Sequence, residues 1–211
     1  AGDQTGFNMR RARTVIAGHL YNKNITYKLQ TEWRESAAVK DAWLDWRFYD
    51  KDNYKINFRI GQLKTRYGRD WNTSYGLLEF ADRGLATRTF AGARTRGAIV
   101  HGTAVQGQLQ WSLGLQNGDT AGAAANAGEE GDPRFIVPGV NDDLDNELNW
   151  NFDVMWTSDP KVVHLNAAQG DLSHTMGYAG GLALMLGNSR YSAAGVPTDL
   201  ESTNLNLWGD W

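Results

Sequence analysis

The sequence has no cysteine, only four prolines among its 211 residues, and no long apolar run. Without cysteine there are no disulfides and no cysteine-ligated metals. A membrane-spanning helix needs about 20 consecutive apolar residues, so helical membrane proteins are excluded. Barrels are not excluded, because polar residues dilute their signal. The opening residues 1–11 lack the apolar core of a secretory signal, which fits either a cytosolic protein or a processed chain.

Tryptophan and tyrosine, in contrast, are abundant. The chain carries nine Trp, eight Tyr and seven Phe, together with 24 Gly. Trp and Tyr concentrate at membrane interfaces, where one end of the ring is apolar and the other wet. The net charge of -3 provides no overall field that would favour nucleic acid, so we expect no nucleic-acid partner.

The stretch Tyr54–Gly68, YKINFRIGQLKTRYG, alternates strictly in its first half. Large apolar residues stand at every second position, with Lys55, Asn57 and Arg59 between them. This pattern is typical of a β-strand with one apolar and one polar face. In a soluble sandwich the apolar face meets a core, whereas in a membrane barrel it meets lipid and the polar face lines a lumen.

Alternation and turn residues predict about nine strands. They cover residues 7–21, 25–33, 40–49, 54–64, 93–102, 105–117, 148–156, 176–186 and 200–211. Tight turns alternate with long connections at 65–92, 118–147 and 187–199, as they do in outer-membrane barrels. The clear runs approach the roughly 9–11 residues of a tilted spanning strand. The pattern therefore favours an all-β, antiparallel transmembrane barrel, with a soluble β-sandwich binding module as the alternative.

Strict alternation also predicts which side chains share a face. Those expected on the lipid face are Tyr27, Leu44, Trp46, Leu109, Trp111, Leu113, Leu115, Trp150, Phe152 and Val154. Those expected in the lumen are Gln108, Gln110, Asn149, Asn151 and Asp153.

Arginines are concentrated in and just after the long connection 65–92. They are Arg66, Arg69, Arg83, Arg88, Arg94 and Arg96. A loop of this kind can fold into a barrel lumen, where guanidinium groups attract anions. Equally, these arginines could form ion pairs with Asp70, Glu79 and Asp82, which would give them a purely structural role in fixing the conformation of the loop. Arg94 and Arg96 are two apart, so one face carries both, and we place that face in the lumen and Thr95, Gly97 and Ile99 toward lipid.

A second basic group lies on the predicted strands. It consists of Arg11, Arg13, Arg47, Lys55 and Arg59. An arginine on the lipid face costs about 2–4 kcal/mol near the midplane, so the lumen is the favoured position for Arg11 and Arg13. The five could line an anion path, diluted by Asp41, Asp45 and Glu32, or they could take part in an ion-pair ladder across the wall.

Enzymatic motifs are not evident in the sequence. It has no GxSxG nucleophile motif and no HExxH-like spacing among its four histidines. The acidic segments 129–132 and 141–147 could bind Ca²⁺ through oxygen ligands but lack EF-hand spacing, so a solvated acidic loop is favoured. We therefore predict no enzymatic activity, no metal and no cofactor.

Several segments, in order, resemble a known family. They include RRARTVIAGHLYNKNITYKLQTEW, VKDAWLDWRF, RIGQLKTRYG, LEFADRG, RTRGAIVHG and SLGLQNG. They resemble the phosphate-selective porins, O and P type, of Gram-negative outer membranes, most clearly over about residues 9–118. The resemblance implies a 16-stranded barrel in the outer membrane, in contact with lipid and lipopolysaccharide, that assembles as a homotrimer and conducts anions.

From the resemblance we expect residues 1–211 to form a single partial barrel domain, with 65–92 as a constriction loop and 118–147 as a long loop. The predicted function is passive diffusion of small hydrophilic solutes with a mild preference for anions, phosphate among them. A scaffold barrel around a partner protein remains the alternative from another functional class.

Overall fold

The computed structural model describes residues 12–33, 38–74, 94–117, 148–161, 177–193 and 196–210. These residues form one antiparallel sheet of nine strands in the order of the chain. The strands are β1 Arg13–His19, β2 Ile25–Glu32, β3 Ala38–Lys51, β4 Tyr54–Lys64, β5 Arg94–Ala104, β6 Leu109–Asn117, β7 Leu148–Thr157, β8 Ala179–Ala193 and β9 Val196–Asp210. The predicted all-β antiparallel architecture is confirmed. Among the described residues, β1 and β9 each pair on one side only.

The two faces of the sheet differ sharply. We call the face bearing Leu44, Leu113 and Trp150 the outer face, and its large side chains are about half exposed. The inner face bears Asp45 and Asp153, which are buried. Apolar groups facing out and polar groups facing in reverse the arrangement of a soluble protein and match a membrane barrel.

The division of faces predicted for β6 and β7 is confirmed. Leu113 pairs with Phe152 and Leu115 with Trp150, so the apolar side chains of both strands share the outer face. Ser112 pairs with Asp153 on the inner face, where both are fully buried. Cross-strand pairing thus keeps the alternation of each strand in phase with that of its neighbour.

Exposed aromatic side chains gather at the end of the sheet that carries the tight turns. They are Tyr21, Tyr49, Tyr54, Trp156 and Tyr178. Asp52 and Asn53, at the tip of the β3–β4 hairpin, both have positive φ, as a two-residue turn of this kind requires. A ring of Trp and Tyr at strand ends is typical of a membrane–water boundary.

The hairpin of β8 and β9 corrects one prediction. We predicted a connection over residues 187–199, but β8 continues to Ala193 and β9 begins at Val196. Ladder pairing extends to Ala193 and Val196. Gly187, Asn188 and Pro197 are typical of turns, and here cross-strand pairing overrides that local preference.

A short helix, α1 (Gly68–Asn72), follows β4. It lies against β7, β8 and β9, and Trp71 also contacts Lys64 at the end of β4. Tyr67 and Trp71 form a buried apolar cluster with Ala183 and Met185 of β8. In the part of the chain that the structure describes, no helix is long and apolar enough to cross a membrane.

Candidate pore-lining site

Asp45 is the centre of a charged network on the inner face of β3–β5. Its Oδ2 accepts hydrogen bonds from Arg59 Nε at 2.7 Å and lies 2.9 Å from His101 Nε2. Its Oδ1 accepts from Asn57 Nδ2 at 2.9 Å. The Arg59 guanidinium also lies 4.1 Å from the centroid of the Trp43 ring. Antiparallel pairing of Asp45 with Arg59 places opposite charges directly across from each other, a stabilising cross-strand pair.

Asp41 forms a second centre, between two cations. Lys28 Nζ donates to its Oδ2 at 2.6 Å, and Arg94 Nε donates to its Oδ1 at 2.8 Å. The carboxylate is almost fully buried. Because Arg94 comes from β5 and Lys28 from β2, this cluster joins distant strands through one carboxylate.

Two further ion pairs extend this pattern to the ends of the strands. Arg13 Nε lies 2.6 Å from Glu32 Oε2, between β1 and β2. Arg47 Nη1 lies 3.2 Å from Asp50 Oδ2, close to the β3–β4 turn. The inner face of β1–β5 is therefore a ladder of paired charges.

The inner face of β6 and β7 carries amides instead. Asn151 Nδ2 donates to Gln116 Oε1 at 2.7 Å, and both side chains are buried. Asn151 lies over Gly114, where a β-carbon would stand only 2.4 Å from its Oδ1. Glycine at position 114 thus lets the amide lie flat against the wall.

Residues 65–74, which we call the inner segment, cross from the end of β4 to the inner face of β7. The backbone N–H of Gly68 donates to Asp153 Oδ1 at 2.9 Å, and Asn72 Nδ2 donates to Asp153 Oδ2 at 3.1 Å. Arg66 Nε stands 3.8 Å from Asp153 Oδ2, an ion pair. One buried carboxylate therefore receives three groups of the inner segment.

Contacts from Lys64 and Thr73 stabilise the fold of the inner segment. Lys64 Nζ donates to the backbone carbonyl of Trp71 and lies 4.4 Å from the centroid of the Trp71 ring. Thr73 ends α1, with its N–H and its Oγ1 both donating to the Arg69 carbonyl, at 2.9 and 2.8 Å. These contacts make the inner segment compact.

Arg66 brings a permanent charge to the inner segment. Burial lowers the pKa of its guanidinium, and the neighbouring Asp153 opposes that shift. Because arginine is effectively always protonated, the group remains a cation at neutral pH.

This arrangement is suited to solute passage along a polar wall. Within the described ranges, no three His, Asp or Glu side chains are placed to hold a metal ion. What the inner face offers is fixed charge and hydrogen-bonding groups, the elements from which pore selectivity is built.

A family model described as phosphate-selective porin O and P matches residues 1–195. The chain belongs to this family. It is a family of channels in the outer membrane of Gram-negative bacteria, and the resemblance noted in the sequence is confirmed. No curated protein and no solved structure matches this porin.

Of the predicted anion-path residues, Arg13, Arg59 and Arg66 carry ion pairs on the inner face. Arg47 contacts Asp50, and Lys55 is the cross-strand partner of the same Asp50, so the two basic residues are close. Their role in anion passage stays a prediction. Arg69 lies half-buried on α1. Three predicted residues, Arg11, Arg83 and Arg88, lie outside the described residues, as does the loop 118–147.

The phase predicted for β5 is wrong. Thr95 and Ile99, expected toward lipid, are each only 2% exposed and share the inner face with His101. Arg96 is exposed and shares the outer face with Ala98. Arg94, at the first position of the strand, reaches Asp41 instead. The reason is local, because residues 94–98 contain no large apolar side chain that would set the phase.

The sequence indicated that Asp41, Asp45 and Glu32 lie among the basic residues of the strands, and the structure shows Asp41 between Lys28 and Arg94 and Asp45 beside Arg59. Which cation meets which carboxylate depends on strand register and was not predicted. Asp153 was predicted to face the lumen, yet its contact with Gly68 spans 85 positions. No local pattern indicates a contact of that range.

Proposed function

We propose that this porin passes small hydrophilic solutes across the outer membrane by passive diffusion, with a mild preference for anions, phosphate among them. The observation that supports it most is the inner face itself. Several of its cations stand beside carboxylates, as Arg13 stands beside Glu32 and Arg59 beside Asp45. Paired charges leave a weaker field than unpaired ones, which favours a mild rather than a strict selectivity.

The inner segment supports a narrowed path. It carries Arg66 to within 3.8 Å of Asp153 Oδ2 on β7, three strands further along the sheet than β4. A cation held there in a confined aqueous space raises the local concentration of anions more than one on an open surface. We propose that residues 65–92 act as a constriction loop, of which the inner segment is the described part.

Reversal potentials across a KCl gradient test this proposal. Full-length protein in planar bilayers should give stepwise conductance and an anion-to-cation permeability ratio modestly above one. Because salt screens charge, the ratio should rise as the salt concentration falls. A ratio below one at every salt concentration would reject the anion preference.

A scaffold barrel around a partner protein is the second candidate. In that arrangement a partner protein would fill the lumen that the inner face lines. Conductance separates the two, because a filled barrel would not conduct.

The assembly and surroundings of this porin are proposed from its family. We infer a homotrimer in contact with lipid and lipopolysaccharide, with the exposed aromatic residues of the tight-turn end at a membrane boundary. Chemical crosslinking of the protein in isolated outer membranes should produce a species three times the mass of one chain. A crosslinked product no larger than a dimer would contradict this.

A further inference from the structure

Asp153 does more than line the wall. It is fully buried on β7, and its carboxylate oxygens accept from Gly68 and Asn72 of the inner segment while Arg66 approaches as a cation. We propose that Asp153 is the positioning residue that holds the inner segment across the lumen and so limits the size of the solutes that pass. This inference rests on the proposed porin function.

The arrangement of donors supports a role in positioning. Gly68 has a φ of 74°, in the left-handed region that glycine adopts without strain. This conformation turns its N–H onto Asp153 Oδ1, at 2.9 Å. Gly68 and Asn72 are the first and last residues of α1. The carboxylate therefore accepts hydrogen bonds from both ends of the helix, which fixes the orientation of the helix as well as its position.

The apolar contacts beside Asp153 are not directional in the same way. Tyr67 and Trp71 pack on Ala183 and Met185, and the dispersion attraction between such groups has no preferred direction. Hydrogen bonds to a charged acceptor are shorter and geometrically demanding. The apolar cluster therefore holds the inner segment against β8, whereas Asp153 determines the position of the inner segment along the wall.

Asp153 also differs from the other buried carboxylates of the inner face. Asp41 and Asp45 have strand residues as their hydrogen-bonding partners, for example Lys28 and Arg59. Asp153 receives its hydrogen bonds from the inner segment. Removing Asp153 should therefore move the inner segment, while removing Asp45 should change the charge of the wall.

The native absence of cysteine permits a direct test of position. Ala183 is fully buried beneath Tyr67 and Trp71, so the Ala183→Cys variant of the full-length porin should react slowly with a water-soluble maleimide. Adding Asp153→Asn keeps the shape but removes the charge and presents an N–H to the Asn72 amide. We expect labelling to accelerate at least ten-fold and single-channel conductance to rise.

Asp45→Asn, added to Ala183→Cys, is the matched control. It removes an equal charge from the same face, so it should shift selectivity without accelerating the labelling of position 183. Asn72→Ala removes one donor and leaves the carboxylate in place, so labelling of position 183 should accelerate less than in the Asp153 variant. It tests the same contact even if the Asp153 variant fails to fold.

The possible outcomes separate the two proposals. If labelling in both the Asp153 and the Asn72 variants stays as slow as in the parent, Asp153 does not position the inner segment. If labelling accelerates while conductance and the size limit for neutral solutes are unchanged, the inner segment does not limit the pore, and that half of the inference is overturned. Absence of conductance in the parent itself would reject the porin function. The labelling result would then still test whether Asp153 positions the inner segment.

Discussion

Two halves of one sheet share an apolar outer face but differ on the inside. On β1–β5 the inner face is a ladder of ion pairs centred on Asp41 and Asp45. On β6 and β7 it consists mainly of neutral amides, with the hydroxyls of Ser112 and Thr157 and the side chain of Met155, and Asp153 is the carboxylate that meets the inner segment. The outer face is mostly apolar in both parts, with Arg96 as an exception at the start of β5. The inner face differs between the two parts, with paired charges on one and support for the inner segment on the other.

The difference indicates a division of labour. Ion pairs on β1–β5 link strands to one another, both neighbours, as with Arg59 and Asp45, and strands further apart, as with Arg94 and Asp41. The amide surface of β6 and β7 carries little field, so the approach of Arg66 to Asp153 dominates its electrostatics. A solute passing between the two halves would meet distributed, balanced charge on one side and a charged protein segment on the other.

The shared outer face can be tested first, where the largest effect is expected. Ile60 in the first half and Leu113 in the second are 51% and 46% exposed. Replacing either with Arg should destabilise the folded porin by about 2–4 kcal/mol if it lies near the bilayer midplane. Urea unfolding in lipid vesicles measures this, with Gln110→Arg as the inner-face control on β6. Similar stability in all three variants would contradict the face assignment.

The charged and amide halves should respond differently to loss of an acceptor. Asp45→Ala leaves Arg59, Asn57 and His101 without their shared acceptor. We expect it to cost about 1–3 kcal/mol, as for buried polar groups left unsatisfied. Asn151→Ala removes one neutral hydrogen bond to Gln116 and should cost roughly 0.5–1.5 kcal/mol.

Equilibrium unfolding of both variants in the same detergent tests this ordering. The double variant Asp45→Ala with Arg59→Ala should recover part of the loss, because the uncompensated cation is gone. A greater loss for Asn151→Ala than for Asp45→Ala would show that charge pairing is not what holds the first half together.

The smallest expected effect concerns selectivity. Arg94 meets Asp41, whereas Arg96 lies on the outer face. Arg94→Ser should lower the anion-to-cation permeability ratio about two-fold at low salt, equivalent to roughly 0.4 kcal/mol. Arg96→Ser should leave it unchanged. The reversal potential of each single variant measures this ratio. An equal decrease in both variants would support the phase predicted from the sequence, in which Arg94 and Arg96 both face the lumen.

The strands could be predicted where side chains alternate in size as well as polarity. On β6, Leu109, Trp111 and Leu113 alternate with small or polar residues, so both the strand and its faces were readable. On β5, the start Arg94–Gly97 contains no large apolar residue. Its phase is set by pairing with β4, which is a property of two segments and not of one.

The candidate site was predictable in kind and not in detail. The sequence indicated that basic residues such as Arg13 and Arg59 face inward, and it left the choice between an anion path and an ion-pair ladder open. The structure shows carboxylates beside both. Pairing across strands depends on register, and the contact between Gly68 and Asp153 depends on how a connection returns to a wall formed 85 positions later.

In the part of the chain that the structure describes, each strand pairs with its neighbours in sequence, which has a consequence for biogenesis. Loop-closure entropy grows only slowly with loop length, so even across the longer connections such a wall can form in chain order. The inner segment cannot follow that order, because Asp153 and Met185 belong to strands that come later than β4. A wall that grew in chain order would therefore pass through a stage in which β4 to β6 are in place and the inner segment has no surface on which to settle.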